Sequence, residues 1–327
     1  MSENSAGAMA VADSAVSVRE TARGVLARWG FGRASYQVKP GLYAMGRPDA
    51  KSPVLVSANY KLSFDVLRGA LAGQDVWLLV LNTRGINVWC AAGKGTFGTE
   101  ELVWRLAVCD LGAVVSHRTL ILPQLGAPGV AAHEVAKRTG FRVVYGPVRA
   151  RDIKAFLAGG MKADQAMRTV DFSLGERLMN TPSDFQLALK YFLAYAALAA
   201  LWLLGVRRRE SGALLAHLLP ILGALFSGLV LTPALLPWLP PRSFALKGWL
   251  VGLLWTGAAG LLWHYRPLVF LGQALVLPAI SAFLALNFTG STTFTSPSGV
   301  NREIALFARP MAVSFLAGTV LLILGGY

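Results

Sequence analysis

Two thiols, Cys90 and Cys109, are the side chains best suited to act as a nucleophile or a soft-metal ligand in this chain, and their settings differ. Cys90 stands in Asn87-Val88-Trp89-Cys90-Ala91-Ala92-Gly93-Lys94, just ahead of Gly95-Thr96-Phe97-Gly98-Thr99-Glu100, a glycine-rich turn that leads into a helix. Thiolates are favoured where positive charge and helix amides lie near. Lys94 follows by four residues, either to bias the thiol or simply as a solvated cation. The residue types alone leave Cys90 open between a small buried hydrophobe, packed with Ile86 and Val88, and a site. Cys109 continues the face of Leu102 and Leu106 at helical spacing, which assigns it to core packing.

Other chemistries find less support. His117, His133, His217 and His264 are scattered without metal-ligand spacing. Gly93-Lys94-Gly95-Thr96 lacks the earlier glycine of a phosphate-binding loop, which argues against ATP. The Asp-x-His-x-x-Gly run by which many cobalamin proteins supply histidine to cobalt is also missing. Two cysteines are too few for an iron–sulfur cluster held by four thiolates, or for a disulfide framework.

The elements that must position Cys90 follow from periodicity. Val16 to Trp29 reads as one helix-like piece in an Ala-, Ser- and Gly-rich beginning. From Pro53 the pattern alternates: strands at Pro53 to Ser57, Val76 to Leu81, Leu120 to Leu122 and Phe141 to Tyr145, and helices at Ser63 to Leu71, Thr99 to Leu111, Val130 to Arg138 and Asp152 to Leu157. Ile86 to Ala92 fits either a strand or a short helix. Continuous apolar strands between helices imply a mostly parallel sheet covered on both faces, with ligands beyond the carboxyl ends of the strands. Asn82 to Gly98, Pro123 to Gly129 and Gly146 to Ala150 fall at such ends.

Composition then divides the chain. It has 327 residues, 54% of them hydrophobic, and a net charge of +14, yet from Leu187 onward the only acids are Glu210 and Glu303. Tyr191 to Val206, Gly212 to Leu239, Gly248 to Trp263, Leu268 to Phe288 and Pro310 to Tyr327 contain no Asp, Glu, Lys or Arg. Each approaches or exceeds the ~20 residues that cross a hydrocarbon core, the third if Phe244 to Lys247 joins it with Lys247 snorkelling to the headgroups. Arg168 to Asp184 reads as a linker or surface helix broken by Pro182, and Asn287 to Arg309 as a polar loop returning to the side of the first domain. The start, Met1 to Val18, lacks the basic-then-apolar pattern of a signal peptide, and the basic residues of the connections favour that side modestly. These readings expect a multi-pass protein of the inner membrane with a cytoplasmic first domain. A bilayer explains the basic excess; scattered basic residues without a reading motif argue against nucleic acid.

The stretch Gly85 to Thr99 resembles the signature of the HgcA family, the membrane-anchored corrinoid proteins of microbial mercury methylation. Leu120-Ile121-Leu122-Pro123-Gln124-Leu125-Gly126-Ala127-Pro128-Gly129-Val130 and Tyr145-Gly146-Pro147-Val148-Arg149-Ala150 are similar to segments shared with the large subunit of the corrinoid iron–sulfur protein, and Asn287 to Val300 and the five spans also resemble the family. That resemblance implies cobalamin bound with its own base displaced, Cys90 thiolate as the lower axial ligand of cobalt, and a methyl group passed from cobalt to Hg(II). It implies Asn87, Val88, Trp89, Cys90, Ala91, Ala92, Gly93, Lys94, Gly126, Gly129 and Gly146 as cofactor-binding residues, with Cys90 catalytic. Ser116 and Thr119 are weaker candidates for the corrin side chains or nucleotide tail, and Trp89 and Phe97 either flank the corrin or belong to the core. A methyltetrahydrofolate-type donor system and a ferredoxin-like reductant with two [4Fe-4S] clusters are the implied partners.

The expected architecture is an α/β, Rossmann-like parallel-sheet corrinoid-binding domain followed by an all-α transmembrane domain of five helices. Its divisions are a partly flexible extension over 1–52, the cytoplasmic domain over 53–165, a linker over 166–186 and the spans over 187–327. Two competing functions are a membrane-bound corrinoid methyl carrier of one-carbon and acetyl-CoA metabolism, and a transporter with a regulatory soluble domain. Against the transporter, His217 is the one ionisable residue within the apolar runs.

Overall fold

The computed structural model describes residues 10–179, 181–206, 211–290, 292 and 294–325, and the chain divides into two compact units, 1–27 with 31–171, and 28–30 with 172–327. Arg207 to Glu210, Ser291 and Thr293, which figured in the sequence reading, lie outside the described residues.

The first unit runs β1 (Ala10–Val11), α1 (Val18–Arg28), β2 (Gly41–Met45), β3 (Val54–Ala58), α2 (Lys61–Ala70), β4 (Val76–Leu81), α3 (Val88–Gly93), α4 (Thr99–Val108), α5 (Leu111–Val114), β5 (Thr119–Pro123), α6 (Ala132–Thr139), β6 (Arg142–Gly146), α7 (Ile153–Ala158) and α8 (Gln165–Arg168). The strands form one sheet in the order β1-β2-β4-β3-β5-β6. β4, β3, β5 and β6 are parallel neighbours, while β2 pairs antiparallel with β4. The stretch before Pro53 is therefore no mere extension: it supplies two strands, and β2 makes the sheet mixed. Period-two alternation fixes which side chains face which layer. Val54, Val56, Leu79, Leu120 and Leu122 point to one core, packed with Ala91, Ala92, Phe97, Leu102 and Val135 of the α3, α4 and α6 side. Leu55, Leu78, Val80 and Ile121 point to the other, against Phe64, Leu67, Ile153 and Phe156 of α2 and α7.

Beginning at β3, the chain adds β4 on one side, then crosses back to place β5 on the other and β6 beyond it. The order reverses between β3 and β5, and loops leaving two adjacent parallel strands in opposite directions open a crevice at their carboxyl ends.

The second unit contains α9 (Leu174–Leu178), α10 (Thr181–Ala200), α11 (Ser211–Phe226), α12 (Thr232–Leu235), α13 (Phe244–Trp263), α14 (Pro267–Thr289) and α15 (Pro297–Leu324), with π-helical turns extending α10 and α11. Five helical stretches, 174–205, 214–235, 244–263, 267–289 and 298–324, are long and apolar enough to cross a membrane. Pro182 does not break a helix; it sits in the first turn of α10, where its missing N–H costs nothing. The polar loop is also shorter than read: Ser296 caps α15 by accepting from the Gly299 N–H, and Pro297 opens that helix, so residues 297–309 are helical. Lys247 does not snorkel. It is buried, and Nζ donates to the carbonyls of Leu236 (2.6 Å) and Leu239 (2.7 Å), left open where α12 ends. Glu303 closes the start of α13, its carboxylate accepting from Ser243 Oγ and the N–H groups of Phe244 and Ala245.

Candidate functional site

The three glycine- and proline-rich segments meet at the crevice. A cavity of about 340 Å³ opens there, lined by Ser57 of β3, Ser63 and Leu67 of α2, Asn87, Val88 and Trp89 of the α3 turn, Leu122 and Pro123 of β5, and Gly146 to Val148 after β6. Apolar walls with a few hydroxyl and backbone groups, at the reversal point of a parallel sheet, are the usual construction of a small-molecule site.

The short apolar run around Cys90 resolves as a helix, and local hydrogen bonds explain why. Asn87 is extended, and its Oδ1 accepts from the Cys90 N–H at 2.9 Å, the N-cap geometry that starts α3. Ala91 and Ala92 pack into the sheet core, so the helix cannot rotate without exposing them. Phe97 is fully buried beneath the following turn. A Cβ on Gly126 would lie 2.5 Å from the Phe97 ring, and one on Gly129 2.1 Å from the Phe97 carbonyl oxygen. These glycines thus permit the α3 turn to settle against the loop after β5, a packing role that the sequence alone does not separate from close approach of a ligand.

Asn59 was not singled out by sequence. It follows β3, is 2% exposed, and its Oδ1 accepts from the Gly85 N–H (2.9 Å), the Thr83 N–H (3.0 Å) and Thr83 Oγ1 (2.8 Å). Its amide donates to Gln37 Oε1 at 3.1 Å. The loop it holds carries two consecutive left-handed residues, Arg84 and Gly85, and delivers Asn87 to the cap. Its signal in the sequence was only a polar residue immediately after a buried strand.

Of the residues expected to bind a cofactor, Asn87, Val88, Trp89 and Gly146 line the cavity. Ala91 and Ala92 belong to the core, and Gly126 and Gly129 lie against Phe97 and Ala92. Cys90 is a free, half-buried thiol next to Trp89 in the same turn, and Gly93 and Lys94 at the far end of α3 are exposed. Ser116 and Thr119 do not belong to the site: they stand at the amino end of β5, opposite the crevice, where Ser116 Oγ donates to the Ala50 carbonyl. His117 is likewise structural, with Nδ1 accepting from the Thr119 N–H and Nε2 donating to the Ser52 carbonyl at 2.9 Å. Cys109 packs against the first core, and burial pushes its thiol above the ordinary range. Among the described residues no cluster of three or more His, Cys, Asp or Glu side chains is placed to hold a metal ion.

Residues 31–157 match the family model described as CdhD, the CO dehydrogenase/acetyl-CoA synthase delta subunit. The acetyl-CoA decarbonylase/synthase complex subunit gamma of Methanopyrus kandleri is 34% identical over 127 residues, covering 38% of this chain and 27% of the relative. The subunits of the same name in Archaeoglobus fulgidus (33% over 127 residues, the same coverage) and Methanocaldococcus jannaschii (32% over 127 residues, 38% and 26%) are similar over the same extent. The chain spans about a quarter of the length of these curated relatives, and the matched family region, 31–157, falls within the first unit.

Proposed function

We propose that the first unit binds a corrinoid at the carboxyl edge of its sheet and that the protein transfers the methyl group carried by that corrinoid, with the Cys90 thiolate as the lower axial ligand of cobalt. The observation that carries this reading is one free thiol, half-buried, held in a capped turn whose other residues line the recess between β3 and β5. The recess is smaller than a whole corrinoid and accepts part of one, such as a side group or the nucleotide tail. The similarity to acetyl-CoA decarbonylase/synthase gamma subunits supports one-carbon metabolism as the source of the methyl group.

When bound, the corrinoid would supply cobalt-centred methyl-transfer chemistry, and Cys90 would be the residue that holds its metal. The chain's own contribution is placement. Asn87 fixes the first turn of α3, Ala91 and Ala92 key that helix to the sheet, and Asn59 anchors the preceding loop. Together they hold Cys90 without the freedom to swing away. Val88 and Trp89 give the recess beside that turn an apolar wall. A chain with two cysteines cannot reduce cobalt through a four-thiolate cluster of its own, so a separate ferredoxin-like reductant and a methyltetrahydrofolate-type donor complete the proposed system. The five apolar helices would keep it in the inner membrane, with residues 53–165 facing the cytoplasm.

Two acceptors fit. A methyl carrier of acetyl-CoA metabolism is the reading favoured by the relatives. Transfer to Hg(II) is favoured by the thiol at position 90 and by the Gly85 to Thr99 stretch, because Hg(II) is an electrophile and a thiolate-backed cobalt suits carbanion-like or radical delivery. Anaerobically purified protein charged with a labelled methyl-corrinoid separates them: label appearing in methylmercury when Hg(II) is added supports the second reading. Label that reaches only an acetyl-CoA synthase partner supports the first, and wild-type protein that binds no corrinoid refutes both.

A further inference from the structure

Helix α1 shows its apolar side to the outside. Gly24 and Ala27 are its buried residues, and Gly24 approaches Leu62 closely enough that an added Cβ would lie 3.2 Å from Leu62 Cδ2. On the opposite side Val18, Ala22, Val25 and Leu26 recur at the spacing of one helical face. Val18 is 86% exposed, Val25 50% and Leu26 53%, and the stripe continues into exposed Trp29 and Phe31. Exposed arginines, Arg19 and Arg23, flank it. The helix has one acid, Glu20, which is turned inward onto Lys61 (2.9 Å) and Arg68 (2.8 Å), so the outward side offers only positive charge.

An apolar stripe rimmed by arginine is the pattern of a helix lying in a membrane interface rather than in water or a protein core. Chain continuity points to the same partner. Trp29 meets Phe185 edge-on at 6.2 Å within the second unit, and Phe185 stands in the opening turns of α10, part of the first apolar stretch long enough to cross a bilayer.

We propose that α1 and the Trp29 to Phe31 segment form an in-plane anchor in the headgroup layer of an anionic bilayer. Val18, Ala22, Val25, Leu26, Trp29 and Phe31 enter the acyl boundary, and Arg19 and Arg23 meet lipid phosphates. This anchor is separate from corrinoid binding.

The test places a spin label at Leu26→Cys in the full chain with both native thiols replaced by serine, reconstituted into vesicles of phosphatidylcholine alone or with phosphatidylglycerol. A label at Lys137→Cys, on the exposed side of α6, serves as the aqueous reference. The expected result in phosphatidylglycerol vesicles is a label at position 26 open to oxygen and shielded severalfold from a water-soluble nickel chelate, with the shielding lost in Arg19→Glu/Arg23→Glu. A Val18→Cys label reports the same face independently. Nickel access equal to that at position 137 overturns the proposal, as does shielding from both oxygen and nickel, which signifies a protein cover. Shielding that is equal in neutral vesicles and unaffected by the two glutamates also overturns it.

Discussion

Replacing Asn59 by alanine isolates the part of the site that the sequence concealed. The Gly85 N–H loses its acceptor, while the Thr83 N–H keeps only the Leu81 carbonyl at 3.1 Å, the two-residue contact of a γ-turn. Thr83 Oγ1 can turn to the Ile86 carbonyl at 2.7 Å and so loses little. Thr83 is fully buried and Gly85 half-exposed, so water can repair at most one of the two amides. One orphaned and one weakened amide cost about 1–3 kcal/mol. Expressed as local opening, that is roughly a 5- to 150-fold loss of hydrogen-exchange protection at Thr83 and Gly85. Exchange measured by mass spectrometry on wild type, Asn59→Ala and Asn59→Asp reads it directly. The aspartate keeps the accepting oxygen and gives up only the donation to Gln37, so it should retain most of the protection. The loosened loop should also lower corrinoid occupancy in the alanine variant. Unchanged exchange in Asn59→Ala, or equal losses in the alanine and aspartate variants, would refute this account of the loop.

Other outcomes follow from the same contacts. Gly129→Ala drives a Cβ toward the Phe97 carbonyl, where backbone must yield, and should destabilise the first unit by about 1–3 kcal/mol, whereas Gly93→Ala meets open space within a helix and should be neutral or mildly stabilising; thermal unfolding of the two variants compares them. Because burial raises the Cys109 thiol, less of it is thiolate at any given pH, so Cys109 in a Cys90→Ala protein should alkylate more slowly than a free cysteine peptide at pH 8.5 and require higher pH for the same rate; equal rates would contradict its core placement. Lys61, Ser17 and Arg68 hold the Glu20 carboxyl below the usual range, so its contribution is complete above the unfolded value near pH 4.3 and fades as pH falls toward the folded one; the stability lost in Glu20→Gln should be constant from pH 5 to 8 and shrink below about pH 4.

The four parallel strands were legible because each is a short, largely apolar run, buried throughout in β3 and β4, and their alternation with helices fixed the layers. Gly41-Leu42-Tyr43-Ala44-Met45 carried no such signal: short and opened by glycine, it becomes a strand because β4 offers an unpaired edge. Length and apolarity mark five spans in the second unit but do not place its polar residues. Glu303 closes a helix whose cap, Ser243, lies 60 residues earlier, and Lys247 serves carbonyls of a neighbouring turn, partnerships set by tertiary packing. In the candidate site, the residue types named the thiol while the fold chose its company. Leu122, Trp89 and Gly146 come together only because the strand order reverses between β3 and β5, and Asn59 reaches the loop 24 to 26 residues away.

The central claim is that the Cys90 sulfur ligates the cobalt of a bound corrinoid. Cobalt-edge X-ray absorption on anaerobically purified full-length protein tests it directly, with visible spectra recorded beside it. The account predicts one sulfur scatterer in the first cobalt shell of the wild type, retained in Cys109→Ala and absent from Cys90→Ala, with a matching change in the visible spectrum. A shell of nitrogen and oxygen alone in the wild type, or identical spectra with and without Cys90, would contradict it.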